Sequence, residues 1–154
     1  MKALLIVILL ALPQLVLAEA PVDFSGTWEL NPDKGENLGM MKAVKETIVA
    51  TQSDTQINFK MTDVFAGKTT ERTIIYDLDG KTMQNNAAMG AESETVSSWE
   101  GDKLVTVWTA EGSIAGTTTE RTETRWLSDD GKELSVFMVR GDNPAIVFVF
   151  EKIE

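Results

Sequence analysis

The chain has 154 residues with no cysteine and no histidine, and 24 acidic against 14 basic side chains give it a net charge of −10. Without those two residue types the Ser-His and Cys-His nucleophile arrangements, His-ligated haem and most transition-metal sites are excluded, so neither a metal nor a cofactor is expected. The acidic surface also lacks the clustered cations that nucleic acid requires, and it disfavours anionic lipid surfaces.

The first element is MKALLIVILLALPQLVLA, with Lys2 ahead of an apolar run and a Val16-Leu17-Ala18 close that fits signal-peptidase cleavage. Residues 1–18 are therefore expected to be a signal peptide, removed to leave a soluble secreted or periplasmic protein beginning at Glu19. A stable membrane anchor is disfavoured, because the run is shorter than the roughly 20 apolar residues a spanning helix needs and Pro13 interrupts it. A bacterial lipid anchor would need a cysteine at the cut. Residues 19–154 then form one domain, which must hold together by a hydrophobic core rather than by disulfides.

From Asp23 onward the apolar residues recur with period two, and Gly and Asp clusters break the runs, which is an all-β pattern. In DFSGTWEL, Phe24, Gly26, Trp28 and Leu30 share one face; in QINFKMT, Ile57, Phe59 and Met61 do. Strands are expected near residues 24–31, 44–51, 55–63, 69–78, 81–87, 92–99, 103–110, 116–127, 132–140 and 144–152, joined by glycine-containing turns at DLDGK, WEGDK and SDDGK. The one long connection, residues 32–43, leaves room for a helical turn around Leu38 to Val44.

Ten short meandering strands with no helices to cover a sheet predict a single antiparallel up-and-down β-barrel, because closing the sheet removes both of its edges. The alternative, a two-sheet sandwich with Greek-key crossovers, is disfavoured by the short hairpin connections. The pentapeptide TTERT occurs twice, at 69–73 and 118–122, each time on a run leading to an Asp-Gly-Lys turn. The second unit is two residues longer, a slip that a strand tolerates through a bulge and that catalytic geometry does not, so it reads as a repeated structure rather than a repeated site. Arg72 shares a face with Ile74 and Tyr76, which implies a partly polar interior; the facing of Arg121 and Arg125 stays open.

FSGTWEL, SWEGDKLVTVW and the closing FVFEK, set on a ten-strand meander, resemble the calycin group. Within it the chain is similar to intracellular fatty-acid-binding proteins and to small lipocalin-like domains of exported bacterial proteins. The resemblance implies that Trp28 closes one end of a lipocalin-like barrel and that a small hydrophobic molecule binds inside. Two departures follow. Phe148 and Phe150 stand where fatty-acid-binding proteins carry an Arg-x-Tyr pair for the ligand carboxylate, and residues 32–43 are too few for a helix-turn-helix lid.

The residues expected to line a ligand cavity are Phe59, Met61, Arg72, Tyr76, Trp108, Met138, Phe148 and Phe150. No catalytic residue is expected, since the acid pairs Glu92/Glu94 and Asp129/Asp130 sit beside turns and read as solvated surface, and DLDGK lacks the ligand series of a calcium loop. The alternative to a carrier is a filled barrel acting as a structural or protein-interaction module. The apolar outer side of AIVFVF (Ala145, Val147, Val149) needs a cover, which could come from the amino-terminal segment, the 32–43 loop or a protein partner on that outer strand face.

Overall fold

A computed structural model describes residues 20–86 and 92–154. The expected signal peptide lies outside the described residues, as does the last residue of the strand expected at 81–87. Ten strands follow in chain order: β1 (Gly26–Leu30), β2 (Lys45–Gln52), β3 (Gln56–Phe65), β4 (Lys68–Asp77), β5 (Met83–Asn86), β6 (Glu92–Glu100), β7 (Lys103–Glu111), β8 (Thr118–Leu127), β9 (Glu133–Val139) and β10 (Ile146–Lys152). One 3-10 turn, Gly39–Ala43, interrupts the long connection between β1 and β2 at the expected place. Among the described residues no helix is long and apolar enough to cross a membrane.

All strands belong to one antiparallel sheet in the order β4-β3-β2-β1-β10-β9-β8-β7-β6-β5, a meander whose first and last strands meet through β1 and β10. The crossovers that a Greek-key sandwich needs do not occur in this order.

Closure is incomplete, which departs from the expectation that both edges vanish. β4 and β5 lie side by side without a backbone ladder, and one side chain spans the gap. The Asn85 amide accepts from the Ile75 N–H at 2.9 Å and donates to the Ile75 carbonyl at 2.8 Å, supplying the pair of bonds that a neighbouring strand would make. β5 is also shorter than expected. The Asp77 carboxylate accepts from the N–H groups of Asp79 and Lys81, at 3.0 and 2.9 Å, and this turn holds Lys81 out of the strand.

The closed end of the barrel is packed as the period-two pattern predicts. Phe24, Trp28, Leu104 and Leu134 are fully buried, Phe24 stacks on Trp99 at 5.9 Å, and the Trp28 indole N–H donates to the Phe24 carbonyl at 3.0 Å. Phe24 and Trp28 thus face inward as expected: β1 places Trp28, and Phe24, ahead of the strand, donates its backbone N–H to the Gln52 side-chain oxygen at 3.1 Å.

The outer side of β10 is covered by the chain itself. Glu36 exchanges backbone hydrogen bonds with Val147 at 2.9 and 3.0 Å, Lys34 pairs with Glu133 and with Glu151 at 2.7 Å, and Val149 is buried. Among the described residues the 32–43 loop, one of the three covers the sequence allows, lies against β10. Phe137 on neighbouring β9 remains 38% exposed.

Candidate functional site

Strand alternation decides which side chains enter the barrel, and four strands bring ionisable groups into phase with its apolar lining. On β2 Glu46 alternates with Ile48 and Ala50; on β3 Asp63 follows Phe59 and Met61; on β4 Arg72 precedes Ile74 and Tyr76. On β8 the inward row is Arg121, Glu123 and Arg125. The same five-residue repeat therefore points its arginine inward in both copies.

These side chains surround a cavity of about 240 Å³ beneath the 3-10 turn, lined by Met41, Glu46, Ile48, Phe59, Met61, Arg72, Ile74, Arg121, Glu123, Arg125, Val136, Met138, Ile146, Phe148 and Phe150. An apolar cavity of ~150 Å³ already admits benzene, so this one has room for a small ligand rather than being filled by its own side chains. Phe148 and Phe150 both face it, with centroids 6.4 Å apart and rings nearly parallel.

Six of the eight residues expected at the site, Phe59, Met61, Arg72, Met138, Phe148 and Phe150, line this cavity. Tyr76 and Trp108 do not. Both are buried behind its wall, where Tyr76 meets Phe59 edge-on at 5.7 Å and Trp108 meets Tyr76 edge-on at 5.9 Å. The reason lies in the width of the barrel: aromatic rings on β4 and β7 reach each other across it and close off the space between.

Beyond that partition the interior changes character. β5, β6 and β7 turn Asn85, Ser93, Thr95, Ser97 and Thr106 inward, all buried. Asn85 donates to the Thr95 hydroxyl at 2.7 Å, and the hydroxyls of Ser97 and Thr106 lie 2.9 Å apart. Small polar groups that bond one another occupy this half, and a wider, more polar opening of about 760 Å³ lies at its end, against Gln84, Ser93, Thr109 and Thr117.

The charges fall into two groups. In the first, Glu46 and Asp63 are direct cross-strand partners on β2 and β3, a like-charge pairing that is unfavourable alone. Arg72 resolves it by donating to Asp63 and, at 3.1 Å, to Glu46. Burial pushes the Glu46 carboxyl up to about 7; Arg72 opposes that rise and Asp63 adds to it.

In the second group Glu123 is the hub. Arg125 donates to it at 2.5 Å, the Tyr76 hydroxyl at 3.2 Å, and the Arg121 guanidinium lies 3.0 Å away. Burial alone would raise the Glu123 carboxyl, but Arg125 and Arg121 outweigh it and hold it below the usual range. Burial of the Tyr76 phenol raises it strongly, so it stays a neutral donor. Arg121 stacks over Trp108 at 4.1 Å and Arg125 over Tyr76 at 4.9 Å. With all groups ionised, the first cluster carries one net negative charge and the second one net positive charge, on opposing strands of one cavity.

The acidic half of this constellation escaped the reading by residue type, although it lay in the alternation: Glu46 is in phase with Ile48, Asp63 with Met61, and Glu123 with Arg121. The surface acids fall where they were expected. Glu92 and Glu94 are exposed on β6, and Asp129 and Asp130 occupy the exposed β8–β9 turn. Among the described residues no group of three or more His, Cys, Asp or Glu side chains is arranged to hold a metal ion.

No protein-family model matches the chain, and no curated protein matches it in sequence. Solved structures do match. A point mutant of the fluorescent protein UnaG superposes with a TM-score of 0.69 at 20% identity, over 85% of this chain and 96% of that one. Caenorhabditis elegans lipid binding protein 8 gives 0.65 at 15% identity, over 84% and 94%. Human cRBP IV gives 0.64 at 18% identity, over 86% and 99%. The fold is that of the fatty-acid-binding and calycin-type barrels. At these identities the likeness establishes architecture alone.

Proposed function

We infer that this protein carries a small hydrophobic molecule in the cavity between β2–β4 and β8–β10, and that it does so after export as a secreted or periplasmic protein. The observation that carries the reading is the unfilled volume of about 240 Å³, walled by Ile48, Phe59, Met61, Met138, Phe148 and Phe150. Two methionines in that wall give a lining that adapts to ligand shape. The structural neighbours named as a lipid binding protein, a fatty acid transporter and a fatty-acid-binding protein support carriage over catalysis. Export rests on the leader pattern at residues 1–18.

Titration with the neutral fluorescent probe N-phenyl-1-naphthylamine tests the cavity, with saturation at about one probe per chain expected. A titration flat to millimolar concentrations would replace the carrier with the interaction-module reading. Amino-terminal sequencing of the protein recovered outside the cytoplasm tests export; a start at Glu19 is expected, and intact Met1 on membrane-bound protein would refute it.

A further inference from the structure

The cavity holds charged groups that the protein has already matched to one another. Arg125 is 6% exposed and lines the cavity, yet its donor Nη2 is taken by Glu123 of the same strand. Glu123 thus sits on the guanidinium where an incoming carboxylate would have to bind. An ionised acid entering here would lose its hydration, compete with a carboxylate that is covalently part of the wall, and stand near Glu46 as well.

The site leaves two buried donors and one acceptor open: Arg121 Nε, which lies 3.0 Å from Glu123 without a hydrogen bond to it, Arg125 Nη1, and the Glu46 carboxylate. Among the described residues Arg125 Nη1 is buried with no hydrogen-bond partner. Glu46, 2% exposed, has its Oε1 engaged by Arg72, and its carboxylate borders the same cavity. The charged groups acting on Glu46 are Arg72 from β4, Asp63 from β3, and Arg125 and Glu123 from β8, so the Arg125 donor and the acceptor lie in one electrostatic neighbourhood.

We propose that the ligand is an uncharged amphiphile whose polar end both donates and accepts a hydrogen bond, such as a primary alcohol or a carboxamide, with Glu46 receiving the donor and Glu123 excluding carboxylates. The apolar body lies against Phe148 and Phe150, and the acceptor atom of the polar end meets Arg125 Nη1. This rests on the carrier reading and narrows its ligand class. A buried acceptor or donor is expensive to leave unmet, and that cost makes the discrimination strong in a cavity this small.

The test is displacement of N-phenyl-1-naphthylamine at pH 8 by octanamide, 1-octanol and octanoate, which share one chain length. Octanamide and 1-octanol should displace the probe at concentrations about tenfold or more below octanoate. Glu123→Gln should bring octanoate up by about tenfold, because it removes the carboxylate that holds Arg125. Glu46→Met should weaken octanamide and 1-octanol about tenfold, while Glu46→Gln, which keeps an acceptor oxygen, should cost them less than about threefold. Octanoate displacing as well as octanamide from the wild type would overturn the inference, as would an unchanged order in Glu46→Met. Thermal melting shows whether each variant is folded; if Glu123→Gln is not, the contrast between the two Glu46 variants decides. A wild type that binds no probe at all refutes the carrier reading itself, and the ligand class falls with it.

Discussion

β4 and β8 carry the same pentapeptide and end in different chemistry. Both turn their TTERT arginine inward, but two and four residues on β4 presents Ile74 and Tyr76, whereas β8 presents Glu123 and Arg125. Arg72 therefore finds its acids on neighbouring strands, at Glu46 and Asp63, and Arg121 finds its acid two residues along its own strand. β8 is hydrogen-bonded on both sides, to β7 and β9; β4 is bonded only to β3 and faces a gap on the other side. The two copies then meet inside the barrel, where the Tyr76 hydroxyl donates to Glu123 and Arg125 lies over the Tyr76 ring. A repeat of structure has placed cations at both walls of one cavity, and what each cation does depends on the partners its surroundings supply.

That difference predicts unequal fragility. Glu123→Ala leaves Arg121 and Arg125 facing each other in the interior without their acid, and a loss of about 3–5 kcal/mol is expected in urea denaturation. Arg72→Ala should cost less, about 1–2 kcal/mol, because Glu46 can take up a proton and Asp63 is partly exposed to water. Equal losses would erase the contrast between the strands.

Acid should strengthen the β4 side. The Glu46 carboxyl lies at about 7 when folded against 4.5 when free, so between those values the folded chain binds a proton that the unfolded chain does not. Stability from this group accordingly rises as pH falls through 7 and levels off near 4.5, amounting to about 2 kcal/mol between pH 8 and pH 5.5. Relief of the overall negative charge acts in the same direction, so the measurement is the difference between wild type and Glu46→Gln over that range. Glu123 acts oppositely: its depressed carboxyl stabilises above the ordinary carboxylate range and loses that contribution only at more acid pH. A wild type no more pH-dependent than Glu46→Gln would place the carboxyl near its ordinary value.

The free side of β4 gives a third test. Asn85→Ala removes both bonds to the Ile75 backbone, for an expected loss of about 1–3 kcal/mol and faster amide exchange at Ile75. Slow exchange at Ile75 in that variant would show that something other than Asn85 closes the gap. The smallest effect lies at the turn feeding β4, where Ala66 occupies the left-handed region at φ 49° ahead of Gly67. Ala66→Asn suits that conformation and should stabilise by about 1 kcal/mol, read as a higher melting temperature.

The sequence by itself determined the ten strands, their meandering order and the inward set that includes Trp28, Phe59, Met61, Arg72, Phe148 and Phe150. It could do so because side-chain direction in a strand follows from parity alone, and turns announce themselves by Gly and Asp. Parity also turned Glu46, Asp63 and Glu123 inward, but a charged residue in phase with a core reads as surface until its counter-ion is known. For Glu46 and Asp63 that counter-ion, Arg72, comes from register between strands, while Glu123 finds Arg121 and Arg125 on its own strand and Tyr76 as a neutral donor from β4. Only the tertiary structure decided that Tyr76 and Trp108 wall off the cavity instead of lining it, that residues 32–38 cover β10, and that the sheet stops short of closure at Asn85. Each of these depends on distances across the barrel, which the radius of the closed sheet sets and no local pattern encodes.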